Sequence, residues 1–109
     1  MKTKTVHINP VEFAKVLADP TRQQIMECCC CEWMSVTQIV VKVNVSQPTV
    51  SHHLAVLREA GLVNAQEKGK NTYYELNQER VAYCCGMLLQ TFAPESNAAE
   101  RLISLTAVK

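Results

Sequence analysis

The chain has 109 residues, of which 48% are hydrophobic and 19% charged, and its formal net charge at pH 7 is +1. This composition excludes an intrinsically disordered protein, and no apolar run approaches the ~18 residues of a membrane-spanning helix. A net charge so close to zero also excludes general attraction to nucleic acid, so any DNA binding must rest on locally placed charge. We expect a single domain over residues 1–109, and a short polar start without an export signal favours a cytoplasmic location.

Four helices are predicted in the first half of the chain from apolar spacing and capping residues. Asp19 and Pro20 separate the first two, because Asp is a good N-cap and Pro fits the first turn of a helix. Ser46 and Pro48 begin the fourth helix in the same way, and Gly61 ends it. The predicted ranges are about 10–18, 20–31, 35–43 and 46–60.

The pattern changes to that of a β-hairpin after Gly61. Two strands rich in β-forming residues are joined by Lys68-Gly69-Lys70-Asn71, whose Gly and Asn permit a tight turn. Helical spacing then returns and stops at Pro94. The predicted ranges are 62–67 and 72–76 for the two strands of this wing (62–77 in all), 78–93 for the fifth helix, and 95–109 for a tail or short last helix.

A helix, a turn, a second Ser-capped helix and a basic hairpin occur in the order of a winged helix-turn-helix, a mainly α fold with a small β-hairpin wing. In this fold the start of the second helix enters the major groove, where Gln47 can pair with adenine and Val50 can touch a thymine methyl unless it faces the core. Alone, Gln47 and Thr49 would indicate only a solvated helix start, but the cationic hairpin favours DNA binding, with Lys68 and Lys70 on phosphate. The candidate DNA contacts are Ser46, Gln47, Thr49, Val50, Ser51, His52, His53, Arg58, Lys68, Lys70, Asn71 and Tyr73.

Six cysteines fall in two clusters and are the candidate metal or thiol sensor. If the second helix continues through the run Cys28–Cys31, the four side chains point nearly all round it and cannot converge on one ion, although Cys28 and Cys31 share a face. A pyramidal three-sulfur site could combine two adjacent thiols of the run with one from the fifth helix, within or between subunits. The alternative for a single buried cysteine is ordinary packing. The sensor candidates are Cys28, Cys29, Cys30, Cys31, Cys84 and Cys85.

Four segments together are typical of one protein family: residues 17–22 (LADPTR), 45–54 (VSQPTVSHHL), 57–63 (LREAGLV) and 69–76 (GKNTYYEL). Through them the chain resembles the ArsR/SmtB family of bacterial metal- and thiol-responsive repressors. The resemblance implies a homodimer joined through its first and fifth helices, bound to a palindromic double-stranded DNA operator and released when an inducer binds.

Departures from the family pattern reduce the number of candidate inducers. A common arsenic, cadmium and lead site of the family places cysteines where this chain has Ser35 and Thr37. The zinc-type site uses Asp and His pairs on the fifth helix, which here offers Gln78, Glu79 and Arg80 instead. A thiol-only arrangement remains, and it favours thiophilic species such as trivalent arsenic, antimony or mercury.

The sequence therefore predicts a repressor released when trivalent arsenic or a similar thiophilic metal(loid) binds its cysteines, with no obligatory cofactor. The alternative is a redox or reactive-sulfur sensor that forms a disulfide within the run or across to the fifth helix; adjacent cysteines would close only a strained ring. An enzyme is not expected, because Cys28 and Cys31 end a helix, whereas thiol-disulfide enzymes place the attacking thiol at a helix N-terminus. A structural zinc site is also possible.

Overall fold

The computed structural model describes residues 9–98, 100 and 101 of the chain. Residues 99 and 102–109 of the predicted tail lie outside this range; within it, residues 98, 100 and 101 are helical. The described residues form five helices and three strands. In chain order these are α1 (Pro10–Leu17), α2 (Pro20–Cys28), β1 (Met34–Ser35), α3 (Val36–Val43), α4 (Gln47–Glu59), β2 (Val63–Lys68), β3 (Asn71–Leu76) and α5 (Gln78–Phe92).

Each helix begins where a side chain accepts a hydrogen bond from an otherwise unpaired backbone N–H. Asp19 Oδ1 accepts from the backbone of Arg22 at 3.0 Å, and Ser35 forms a reciprocal capping box with Gln38. Ser46 caps α4 in the same way. Because a cap of this kind contributes about 1 kcal/mol, these local residues determine where the helices start. The remaining caps are Asn9 of α1 and Asn77 of α5.

The wing is an antiparallel hairpin in which β2 and β3 pair along their whole length, from Val63 opposite Leu76 to Lys68 opposite Asn71. Gly69 at the turn has a φ of 61°. A type II′ turn requires this left-handed value at its first central residue, and glycine adopts it without a steric penalty. The hairpin tip is therefore a compact two-residue turn.

A third strand, which the sequence did not predict, joins the wing to the helical part of the molecule. In β1, Met34 and Ser35 pair with Tyr74 and Tyr73 of β3. The sheet order is β1-β3-β2, so β3 lies in the centre. Trp33, which immediately precedes β1, is 39% exposed.

The prediction that α2 extends through Cys31 is wrong, because the helix ends at Cys28. Cys29 leaves helical geometry with φ −107° and ψ 22°, and its carbonyl accepts the backbone N–H of Leu76 at 2.9 Å. A tertiary hydrogen bond to the end of β3 thus replaces the intrahelical one. As a result, Cys29, Cys30 and Cys31 form a turn after α2, and the shared helix face predicted for Cys28 and Cys31 does not exist.

The core lies where the helices meet the sheet. Its largest fully buried side chains come from every helix and from the segment that leads into the wing: Phe13, Ile25, Ile39, Val50, Leu54, Leu57, Leu62, Cys29 and Cys84. None of the helices in the described part of the chain is long and apolar enough to cross a membrane.

Candidate DNA-reading surface and thiol site

The N-terminal half of α4 presents a polar face to solvent. Helix α3 ends at Asn44, whose φ of 59° is left-handed, and the chain turns there so that α4 begins at the Ser46 cap. Ser46 Oγ lies 2.9 Å from Thr49 Oγ1, which holds both hydroxyls at the helix start. The exposed side chains along this face are Ser46, Gln47, Thr49, Ser51, His52 and, further along, Arg58.

The structure corrects two of the predicted DNA contacts. Val50 is fully buried, so it packs in the core and cannot reach a thymine methyl. His53 is 8% exposed and faces α2. Both positions fall on the inner side of α4 together with Leu54 and Leu57, as helical spacing requires.

His53 joins α4 to the start of α2. Its Nδ1 lies 3.0 Å from Arg22 Nη1, and its Nε2 lies 3.8 Å from Asp19 Oδ1. Arginine can only donate, so His53 Nδ1 is the acceptor and the ring is neutral with its proton on Nε2. Arg22 is itself oriented by a hydrogen bond from its Nε to the Val16 carbonyl at 2.9 Å.

The charges around His53 act on its pKa in both directions. Burial lowers the pKa of His53; Asp19 raises it, and Arg22 and His52 lower it further. The sequence interpretation gave Arg22 no role. No local sequence signal could have shown this role, since its partner His53 is 31 residues away.

The tip of the wing carries the second part of the polar surface. Lys68, Lys70 and Asn71 are all exposed there. Of the two adjacent tyrosines in β3, Tyr74 packs against the core and Tyr73 points to the other side and is half-buried. The predicted wing contacts are therefore available to a partner, with Tyr73 at their base.

The six cysteines lie in three kinds of environment. Cys29 and Cys84 are core residues, 0% and 2% exposed. Burial raises the pKa of Cys29 to about 11 and also raises the pKa of Cys84, so both remain protonated and unreactive at neutral pH. Half-buried Cys28 has its Sγ 3.5 Å from Met34 Sδ, and burial raises its pKa as well.

Cys30 and Cys31 form the accessible pair. Their sulfur atoms are joined in a disulfide between adjacent residues, the pairing for which the sequence predicts a strained ring. Gln78 Nε2 of α5 donates to the Cys30 carbonyl at 2.8 Å. The two residues border an open cleft of about 320 Å³, whose other walls are Leu76, Gln78, Val81 and Ala82.

Helix α5 carries a further free thiol, Cys85, which is not among the residues that line this cleft. Cys85 lies three and four residues after Ala82 and Val81, so it continues the same helix face by one turn. It is half-buried, and burial raises its pKa. Among residues 9–98 and 100–101, no three His, Cys, Asp or Glu side chains are already grouped to hold a metal ion.

An apolar surface lies on another side of the molecule, where α1 packs against α5. Val11 and Phe92 are 64% and 77% exposed, and they flank an apolar cleft of about 410 Å³. Exposed apolar side chains concentrated in one patch are typical of an interface.

Similarity to known proteins identifies the class of protein to which this chain belongs. A family model described as "Bacterial regulatory protein, arsR family" matches residues 19–65. The Biofilm growth-associated repressor of Agrobacterium fabrum is 36% identical over 84 residues, 76% of this chain and 72% of that protein. The Arsenical resistance operon repressor of Escherichia coli K12 is 29% identical over 101 residues, 86% and 81% of the two chains. A homodimeric winged helix-turn-helix DNA-binding domain from Mycobacterium bovis superposes with a TM-score of 0.59 at 32% identity, covering 75% of each chain.

The fold is thus a winged helix-turn-helix of the kind found in DNA-binding transcriptional regulators. The chain belongs to the ArsR family, and it is a transcriptional repressor of the ArsR/SmtB type rather than an enzyme. Dimerisation is supported by the homodimeric relative.

Proposed function

We propose that this repressor leaves its DNA operator when trivalent arsenic, or a similarly thiophilic metal(loid), binds the turn after α2. The observation that carries the proposal is the pair Cys30 and Cys31, which are adjacent and open to solvent beside α5. Arsenical-resistance repressors among the relatives agree with an inducer of this kind.

In the DNA complex, α4 lies in the major groove and the wing lies along the backbone. Gln47, Thr49, Ser51 and His52 read base edges, since they are exposed at the N-terminal end of α4. Ser46, Arg58, Lys68, Lys70, Asn71 and Tyr73 contact phosphate and sugar. Two copies related by a two-fold axis read the two halves of a palindrome.

The two copies meet through α1 and α5. The exposed apolar side chains Val11 and Phe92 and the cleft between them support this interface. Burying such a surface in a dimer removes apolar area from water, at about 25 cal/mol per Å².

Arsenic binding reaches the DNA-reading parts through two hydrogen bonds. The Cys29 carbonyl accepts from Leu76 N at the end of the wing, and the Cys30 carbonyl accepts from Gln78 at the start of α5. Arsenous acid needs three thiols and releases three waters as its three As–O bonds are replaced by As–S bonds. Cys30 and Cys31 supply two, and Cys85 of the same subunit or of its partner supplies the third. Drawing α5 toward the turn shifts the dimer helix and the wing together, and the spacing of the two recognition helices changes.

The test uses fluorescence anisotropy on a palindromic fragment that the purified, reduced protein selects from random DNA. We expect arsenite at low micromolar concentration to release the wild-type protein, and we expect Cys30→Ser and Cys85→Ser proteins to stay bound. Cys28→Ser is the matched control, because Cys28 is a neighbour in sequence that does not border the cleft. Release of both variants at the wild-type arsenite concentration contradicts this site.

The Cys30–Cys31 disulfide favours one second candidate, a redox or reactive-sulfur switch at the same turn. In a reducing cytoplasm, the expected compartment, the pair is kept as a dithiol and oxidation is the signal. Peroxide or a persulfide donor would then release the wild-type protein, a thiol reductant would restore binding, and arsenite would have no effect.

A further inference from the structure

The cleft beside the turn offers two thiols and an apolar wall. Cys30 and Cys31 line it together with the apolar side chains of Leu76, Val81 and Ala82. Gln78 adds an amide that is already bonded to the Cys30 carbonyl. No lining residue apart from the thiols is ionisable, so the cleft suits a neutral, partly apolar ligand.

Trivalent arsenic forms three bonds, and the number of thiols it needs depends on its substituents. Inorganic arsenite needs three, whereas no three metal-binding groups are brought together among the described residues. An arsenic atom that already carries one carbon substituent needs only two. The dithiol form of Cys30 and Cys31 provides both of these thiols. In the reaction, each thiol proton combines with one hydroxide of R–As(OH)₂, so two waters are released as two As–O bonds are replaced by two As–S bonds. No electrons are transferred in this step. The disulfide is opened beforehand by two cellular monothiols, or by one dithiol, which supply two electrons and are themselves oxidised to a disulfide.

The space in the cleft matches the remaining substituent. An apolar cavity of about 150 Å³ holds a benzene molecule, and the cleft measures about 320 Å³. A methyl or phenyl group bonded to the arsenic can therefore lie against the aliphatic wall of Leu76, Val81 and Ala82, where its contact with water is reduced.

We propose that the turn is selective for monosubstituted trivalent organoarsenicals, alkyl or aryl, over inorganic arsenite. The inference rests on the proposed function, since it names the inducer class of the same site. Two thiols of one subunit suffice for binding, and the organic group presses on α5 at Val81 and Ala82, so Cys85 is not required.

Release from operator DNA by phenylarsine oxide and by arsenite, each titrated against reduced protein freed of reductant, tests the proposal. We expect phenylarsine oxide to act at a concentration at least tenfold lower than arsenite. Cys85→Ser should leave the phenylarsine oxide response unchanged, Cys30→Ser should abolish it, and the control Cys28→Ser should retain it.

A second variant tests the apolar wall independently of the thiols. In Ala82→Phe, the larger side chain occupies the space proposed for the organic group. We therefore expect the phenylarsine oxide concentration for half-release to rise at least tenfold, while operator binding without arsenical is retained. Intact-protein mass spectrometry should record one phenylarsenic adduct on the wild-type chain and none on Cys30→Ser.

The possible outcomes distinguish a failure of the organoarsenical selectivity from a failure of the proposed function. Equal potency of the two arsenicals, with both responses abolished in Cys85→Ser, identifies a three-thiol site and overturns the selectivity while the proposed function stands. Release of Cys30→Ser by phenylarsine oxide as readily as the wild type also overturns it. If neither arsenical releases a protein that binds its operator normally, the proposed function fails as well.

Discussion

A neutral imidazole links α4 to the start of α2, in addition to the core packing of Val50, Leu54 and Leu57. In its present form His53 accepts from Arg22 and keeps its own proton on the Nε2 side, toward Asp19. Protonation of Nδ1 would replace this hydrogen bond by the repulsion of two cations. Asp19 compensates in part, but its oxygen is 3.8 Å away and 37% of its side chain is exposed.

The stability of the protein should therefore fall as His53 becomes protonated. Because the folded state has the lower pKa, the unfolded chain binds more protons below pH 6.5, the ordinary histidine value. Stability is full above this pH and declines as the pH falls toward the folded pKa, by about 1.4 kcal/mol for every unit that separates the two pKa values. Urea unfolding at fixed protein concentration between pH 7.5 and 5.5 measures this loss.

Two histidine variants isolate the effect. His53→Gln retains an acceptor for Arg22 but does not titrate, so its stability should change less over this pH range. His52→Gln is the control, because His52 is exposed. An unchanged pH slope in the His53 variant would show that other groups produce the decline.

At the scale of elements, the wing is the part whose contribution to DNA binding is most easily isolated. It is a hairpin with two exposed lysines at its tip, and Val63 at its base is its one buried side chain among the described residues of the two strands. Substituting the tip therefore changes charge without changing the fold.

Lys68→Ala with Lys70→Ala should weaken operator binding and make it less dependent on salt. Removing one phosphate interaction reduces the slope of log K against log salt by about 0.9, so the slope of the double variant should fall by up to about 1.8. Anisotropy titrations from about 50 to 200 mM salt determine the slope. Arg101→Ala, an exposed cation outside both DNA-reading elements, should keep the wild-type slope; an unchanged slope in the wing variant places the wing off the DNA.

The elements that the sequence predicted are those determined by neighbouring residues. Helix starts follow from caps such as Asp19 and Ser46, which act within three residues, and Gly69 specifies the hairpin turn. What the sequence could not predict depends on distant partners. The end of α2 depends on Leu76, strand β1 on its pairing with β3, and the hydrogen bond of His53 on Arg22.

The same contrast between local and distant determinants applies to the residues of the candidate site. Residue types predicted which side chains could bind DNA or a soft metal ion, but not which of them are exposed. Val50 shares the inner side of α4 with Leu54 and Leu57, so helical spacing does indicate its burial. Cys29 is buried although α2 ends before it, and local spacing does not record that.

For the whole molecule, the surface formed by α1 and α5 is the proposed dimer interface, which would bring the two α4 helices together on the operator. Phe92 is 77% exposed in the single chain, an unfavourable position for a large aromatic side chain unless a partner covers it. A monomer would also make only half of the DNA contacts.

Phe92→Glu should convert the dimer to a monomer at micromolar concentration and lower operator affinity at least tenfold, because a carboxylate is costly to bury in an apolar interface. Sedimentation velocity measures the oligomeric state. Val41→Glu is the matched control: Val41 is 75% exposed but lies on α3, and this variant should remain dimeric. A dimeric Phe92 variant would place the interface elsewhere.

Trp33 gives the molecule an optical property of its own. It is the single tryptophan of the chain, it is partly exposed, and it lies two residues after Cys31 and directly before β1. Indole emission responds to solvent and to heavy atoms nearby. Chemistry at the cysteine turn and movement of the adjoining sheet can therefore be followed by the intrinsic fluorescence of this one side chain, without a label.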